Sequence, residues 1–120
     1  MKYQIRESVA GDMPAVLKLI KELAIFEREE DAVEMTTERL VKDGFGREKL
    51  FHCFVGVINN NVEGMALVYP RYSTWKGPVV HLEDLIVSEA FRGSGLGTAL
   101  LNEVVKYGAQ LGVKRISWDV

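Results

Sequence analysis

The chain has 120 residues, 48% of them hydrophobic and 27% charged, with a formal net charge of −2 and an isoelectric point near 5.7. This composition excludes a disordered or fibrous chain and leaves room for one core, in a domain that buries roughly two-thirds of its extended surface on folding. The acidic balance argues against a general nucleic-acid surface.

No apolar run approaches the ~20 residues of a bilayer span, and "MKYQIRES" lacks the apolar stretch of a secretion signal. The reading is therefore a single cytoplasmic domain over residues 1–120, with neither membrane nor nucleic acid as partner. Cys53 is the only cysteine, so no internal disulfide forms. No Cys/His cluster has metal-ligand spacing, and no metal is expected. Within "FHCFVGVI", Cys53 reads as a small buried apolar residue.

In chain order, "KYQIRES" alternates Tyr3 and Ile5 with polar neighbours, the pattern of a short strand. Asp12 is placed to cap a first helix, Pro14 suits its first turn, and Val16, Leu19, Ile20 and Leu23 recur at helical spacing. Glu27 to Glu34 holds five acids against one arginine, by default a solvated helix end. Thr36 or Thr37 caps a shorter second helix through Leu40 and Val41, with Gly44 and Gly46 placed to stop it. "FHCFVGVI", the turn "NNN" and "VEGMALVYPRY" form an antiparallel hairpin, and Pro70, Gly77 and Pro78 then interrupt the chain. "VVHLEDLIV", Val79 to Val87, is apolar enough to be a central strand. Leu96, Leu100, Val104 and Leu111 mark one face of a third helix capped by Gly112, and "KRISWDV" opens a last strand. The order βααβββαβ predicts an α/β fold with a mixed sheet and helices on its faces, in which Val79 to Val120 forms a right-handed crossover.

Between that strand and the third helix lies Arg92-Gly93-Ser94-Gly95-Leu96-Gly97. A plain connector is one reading, although ordinary connections manage with one glycine. A phosphate-binding P-loop fails because no lysine follows Gly97. A dinucleotide fingerprint fails because its third glycine falls on Thr98 and "SEAFR" separates the turn from the strand. There remains Arg92-x-x-Gly95-x-Gly97 at a helix N-terminus, where backbone N–H groups and about half a positive charge suit a pyrophosphate, with Arg92 as the nearby cation.

At this point "LEDLIVSEAFRGSGLGTALL" resembles the acetyl-CoA motif of the Gcn5-related N-acetyltransferases (GNAT), Arg/Gln-x-x-Gly-x-Gly/Ala after a strand. "LKLIKELAIFE", "LVKDGFG", "FHCFVGV" and "HLEDLIV" resemble its diamine branch, the spermidine/spermine acetyltransferases and their thialysine-acetylating relatives, so the likeness covers essentially all 120 residues. It implies acetyl-CoA as cosubstrate. The backbone of Leu85, Ile86 and Val87 would pair with the pantetheine arm, and the pyrophosphate would lie on Arg92, Gly93, Ser94, Gly95, Leu96, Gly97 and Thr98. The thioester would sit where the fourth strand splays from the one beginning near Ile116. An amine attacks directly, without a covalent enzyme intermediate.

The resemblance makes Glu83 the general base, working through water, with Asp84 on the opposite face of the strand. A carboxylate pair is ordinarily solvated or structural, yet in a strand otherwise apolar from Val79 to Val87 it is costly unless used. Glu27, next to Phe26, matches an acceptor-binding acid, and the acidic stretch would draw in a polycation. Trp75 and Tyr72 either line the acceptor mouth or pack, whereas His52 and His81 are expected to be packed or satisfied side chains rather than bases.

Past "KRISWDV" the family continues with an Asn-containing turn, a helix bearing a tyrosine general acid, and closing strands. Tyr107 lies on the wrong helix to be that tyrosine. The expectations are an exposed edge on the last strand, a homodimer in which C-terminal strands can be exchanged, and weak acetyl-CoA binding with slow or no turnover by this 120-residue chain. The expected function is acetyl transfer to a small primary amine: a polyamine, a diamine or a thialysine-like amino acid. A non-catalytic acetyl-CoA-binding module and a protein N-acetyltransferase are the rivals.

Overall fold

Apolar residues at period two and period three to four alternate along this chain, and the backbone follows them. The computed structural model describes residues 2–119; Met1 and Val120, the outer bounds of the expected domain, lie outside the described residues. The strands are β1 (Gln4–Glu7), β2 (His52–Ile58), β3 (Asn61–Ser73), β4 (Gly77–Val87) and β5 (Ile116–Trp118), and the helices are α1 (Met13–Phe26), α2 (Thr37–Phe45) and α3 (Leu96–Leu111). One sheet holds the strands in the order β1-β2-β3-β4-β5. It is antiparallel up to β4, and β5 joins β4 in parallel through the α3 crossover. This is the mixed α/β order expected from the sequence.

Local chemistry explains the connections. Asn59 and Asn60 both adopt left-handed φ, 52° and 66°, which a two-residue type I′ hairpin demands and asparagine tolerates. Thr36 Oγ1 accepts the Arg39 N–H at 3.1 Å and caps α2.

The core lies on both faces of the sheet. On one face, Met13, Val16 and Leu19 of α1 and Leu40 of α2 pack on Val55, Met65, Leu67 and Ile86. On the other, Leu96, Leu100 and Val104 of α3 pack on Phe54, Ala66, Val68, Val80 and Leu82. α3 settles low because Gly64 has no side chain; a Cβ there would stand 2.9 Å from Leu96 Cδ2 and 3.0 Å from Leu100 Cδ1.

Several local expectations are corrected. Asp12 does not cap α1: its backbone is already helical, and its carboxylate accepts the Val9 N–H at 2.8 Å and two Arg6 guanidinium bonds at 2.8 and 3.0 Å. The Arg6 hydrogen bonds hold the Asp12 carboxyl below its ordinary range. Gly44 lies inside α2, where the Phe51 ring covers it, and Gly46 ends the helix at a φ of −84° rather than in the left-handed region. Leu111 is more than half exposed, and Gly108 takes the inward place against Ile116. Pro70, Gly77 and Pro78 do not interrupt the sheet but lie in β3 and β4. Beyond Val68, β3 pairs only with β4, so a residue lacking N–H costs no ladder bond on the other side.

Candidate active site

The register of β4 against β3 contains one irregularity. Leu85 pairs with Ala66 and Asp84 with Leu67, but the next pair is Leu82 with Val68. Glu83 is the extra residue of a β-bulge, a device that re-aims side chains. Strict alternation would set Leu82, Asp84 and Ile86 on one face, whereas Leu82 packs in the α3-side core and Ile86 in the α1-side core.

Neighbouring strand residues point to opposite faces in any case, so Glu83 and Asp84 part with or without the bulge, which decides instead which face Asp84 and the residues after it take. Glu83 lines a cleft of about 380 Å³ with Leu82, Leu85, Leu101, Trp118 and Asp119, and its carboxylate comes within 4.0 Å of His81 Nε2. Asp84 turns to the α1 side and lines a smaller cleft, about 190 Å³, which Glu27 and Glu29 also enter. Glu83 and Asp84 point to opposite faces, as alternation predicts, and the structure also brings Glu27 to the Asp84 cleft, which the sequence did not suggest.

The same point is where two strands part. β5 pairs with β4 only through Val80, His81 and Leu82. Past Glu83 the backbone edge of Leu85, Ile86 and Val87 has no β5 partner among the described residues. Leu85 is exposed, while Ile86 is buried in the core, so only the backbone of Ile86 is available at this edge.

Burial pushes the Asp84 carboxyl up to about 6, with the Glu83 and Glu27 charges adding to the rise. Carboxylates on both faces of one strand favour a cation, whose arrival relieves their repulsion. His81 is 2% exposed, as expected of a packed side chain, but its neighbours are polar. Its Nδ1 lies 2.8 Å from Ser117 Oγ, and its Nε2 lies 4.0 Å from Glu83 Oε1 and 3.9 Å from Asp119 Oδ2.

The glycine turn leads into α3. Gly93 and Gly95 have φ of 81° and 90°, and a Cβ at either would meet nothing within 4 Å. Conformation, not crowding, requires these glycines, and they leave the backbone open. Their N–H groups find no acceptor among the described residues. The Leu96 N–H donates to Ser94 Oγ at 3.3 Å, and the first helical bond runs from Ala99 N–H to the Gly95 carbonyl at 3.1 Å. The Gly97 and Thr98 N–H groups, ahead of that bond, complete a row of amides facing outward.

Arg92 Nε donates to the Val87 carbonyl at 3.3 Å, and its guanidinium stands 5.3 Å from the Phe26 ring centroid. Phe26 thus meets the turn through Arg92. The turn is braced from below, where the Glu89 N–H donates to Glu22 Oε1 at 2.8 Å and Ser88 Oγ to Glu63 Oε1 at 3.0 Å.

Trp75 is not drawn into either cleft. It sits at the β3–β4 hairpin tip, 91% exposed, with Tyr72 also exposed nearby. His52 and Tyr107 stack with centroids 4.5 Å apart and pack with Phe54, so Tyr107 is a packing residue. Asp119, Trp118 and Leu101 carry no functional signal of their own in the sequence. Trp118 and Asp119 reach the cleft through the parallel pairing of β5 with Val80 to Leu82, and Leu101 through the packing of α3 on the sheet.

Among the described residues no group of three or more His, Cys, Asp or Glu side chains could hold a metal ion, and no helix is long and apolar enough to cross a membrane.

Residues 14–120 match the model of the acetyltransferase (GNAT) family. The human spermidine/spermine N(1)-acetyltransferase-like protein 1 is 40% identical over 109 residues, which cover 85% of this chain and 16% of that protein. The thialysine N-epsilon-acetyltransferase of Bos taurus is 37% identical over 120 residues, 93% of this chain and 71% of that enzyme. The fold is shared with solved structures at lower identity. A Trypanosoma brucei acetyltransferase has a TM-score of 0.78 at 22% identity, with 99% of this chain and 83% of that one covered. The aminoglycoside N-acetyltransferase AAC(6')-Iy in complex with CoA has a TM-score of 0.77 at 20% identity, with 99% and 77% covered.

Proposed function

The chain belongs to the GNAT acetyltransferase family, and on that premise we propose that it carries the acetyl group of acetyl-CoA to a small-molecule primary amine: a polyamine, a diamine or a thialysine-like amino acid. The observation that carries this reading is the bulge at Glu83. It sets a carboxylate at the point where β4 leaves β5, with an open strand edge and an amide-lined turn on one side and acidic groups on the other.

The turn fits a diphosphate. The N–H groups of Gly93, Gly95, Gly97 and Thr98 face outward at the N-terminus of a 16-residue helix, and Arg92 supplies a positive charge beside them. The backbone of Leu85, Ile86 and Val87 offers donors and acceptors to an amide-bearing arm running toward Glu83, as an added strand would use them. When bound, acetyl-CoA supplies an acyl carbon on a thiolate leaving group.

The acceptor must lose a proton first, since an alkyl ammonium with a pKa of about 10.4 is almost wholly charged near neutrality. Glu83, with its side chain 54% exposed, takes that proton through water; the freed nitrogen lone pair then attacks the acyl carbon, the C–S bond breaks, and the departing thiolate takes up the further proton that the nitrogen gives up on becoming an amide. Glu27 and Asp84 hold the rest of a cationic acceptor from the α1 side. Phe26 steadies Arg92. A homodimer and a cytoplasmic location complete the proposal on the strength of the family resemblance.

The test is calorimetry with coenzyme A, followed by an acceptor screen with acetyl-CoA on spermidine, a short diamine and thialysine. The expected result is weak binding at the turn and slow acetylation of at least one of these amines. No heat at millimolar coenzyme A, or a soaked crystal with the nucleotide far from Gly93 to Thr98, overturns the proposal.

A further inference from the structure

His81 is buried in the middle of β4 among groups whose hydrogen-bonding roles are fixed by their chemistry. Arg71 Nη1 lies 3.4 Å from Nδ1, and a guanidinium has donors only. On the far side of the ring, Nε2 lies between the Glu83 and Asp119 carboxylates at 4.0 and 3.9 Å, and an ionised carboxylate only accepts. Ser117 Oγ, 2.8 Å from Nδ1, can donate or accept and so follows the others. The Tyr69 ring, 5.2 Å away between centroids, closes the β3 side. One tautomer satisfies every neighbour: Nδ1 bare, receiving Ser117 and Arg71, and Nε2 carrying the proton toward the two carboxylates.

From this we infer that His81 is a positioning residue, whose Nε2–H holds the Glu83 carboxylate at the opening between β4 and β5 and ties it to Asp119 beyond the end of β5. The inference rests on the transferase reading given above for what Glu83 does, but not for where the ring points. Glu83 needs such a tether. As the unpaired residue of a bulge with a half-exposed side chain, it has many rotamers open to it, and a base is effective only when held in reach of the proton it takes. The gap near 4 Å is longer than a hydrogen bond, as is common before an acceptor arrives, and a rotation of the Glu83 side chain closes it. Ser117 anchors the ring from the neighbouring strand, so the geometry of Glu83 is coupled to the β4–β5 pairing.

The first arm of the test needs no turnover. Long-range proton–nitrogen correlation spectra of the histidine rings should show His81 with the proton on Nε2, and its Nε2 resonance should move in Glu83→Gln and in Asp119→Asn. A proton on Nδ1, or an Nε2 resonance unmoved by both substitutions, overturns the inference.

The second arm is kinetic. His81→Phe, which keeps the ring and loses the N–H, should lower kcat about tenfold with the KM for acetyl-CoA unchanged. His81→Gln, whose amide N–H reaches near the place of Nε2, should recover most of that loss. Equal losses in both variants, or a loss confined to KM, reduce His81 to packing. If the native chain acetylates nothing, the transferase reading fails by itself, and the ring spectra still decide whether His81 holds Glu83.

Discussion

The two halves of β4 share one strand and little else. From Val79 to Leu82 every residue is buried, β3 lies on one side, and β5 joins on the other from Val80 onward. From Glu83 to Val87 only β3 holds the strand, and exposed or half-exposed positions flank a single buried one, Ile86. The first half contributes stability and the second contributes an edge. The bulge at Glu83 lets them coexist, because it changes which face the following side chains take without breaking the ladder to β3.

Paired truncations measure that division most directly. Leu82→Ala opens a cavity in the α3-side core and should cost about 2–4 kcal/mol, whereas Leu85→Ala, already 38% exposed, should cost under about 1 kcal/mol. Urea unfolding of both variants checks this, and equal losses would erase the distinction between the halves.

Glu83→Gln tests the division from the functional side. The substitution removes the base and keeps the shape, so kcat should fall about 100-fold, equivalent to roughly 2.7 kcal/mol of barrier. The melting temperature and coenzyme A affinity should stay as they were. A non-catalytic cofactor-binding module would instead show no rate to lose, and unaltered turnover would leave Glu83 a bystander.

How far the sequence reveals this follows from where each determinant lies. The Asn59–Asn60 turn, the α3 stripe of Leu96, Leu100 and Val104, and the left-handed glycines at Gly93, Gly95 and Gly112 are local, because backbone conformation depends on the residue that adopts it. The bulge is not local. It exists only as a mismatch between two strands, and nothing in "HLEDLIV" alone marks Glu83 as the unpaired residue. Asp119 was invisible for the same reason, since its place beside Glu83 depends on a parallel pairing 36 residues away in sequence. Asp12 departs from the capping role its position suggests because an arginine six residues earlier competes for the carboxylate that would otherwise cap α1.

Asp84, just after the bulge, gives a pH signature. Its carboxyl is raised from an ordinary 3.8 to about 6, first by burial and then by Glu83 and Glu27. The folded state therefore binds that proton more tightly than the unfolded chain. Its stabilising effect is complete at low pH and is lost as the pH rises from about 4 through about 6. Asp12 acts in the opposite sense: its lowered pKa supports the fold above the ordinary carboxylate range and fails below it. Melting temperatures should fall across the Asp84 window, and Asp84→Asn should flatten that fall while leaving the acid limb. A diamine binding near the upper end of the window should release protons, read as a buffer-dependent heat. The absence of both effects would separate Asp84 from the acidic cleft.

The smallest expected change in stability concerns the point where the open half of β4 meets the turn. A Cβ at Gly97 would stand 3.6 Å from Val87 Cγ2, an ordinary contact, and no left-handed φ is required there. Gly97→Ala should therefore leave unfolding within about 0.5 kcal/mol of the native chain, since the alanine removes backbone freedom from the unfolded state and favours the helix. Gly95→Ala differs, because its φ of 90° strains any residue with a side chain. If the amides of this turn hold a diphosphate at close range, Gly97→Ala should weaken coenzyme A binding severalfold at unchanged stability, because the added methyl crowds the N–H groups rather than the core. Unchanged affinity in calorimetry would mean that Gly97 is tuned to helix packing, and the ligand contacts would then rest on Gly93, Gly95 and Arg92.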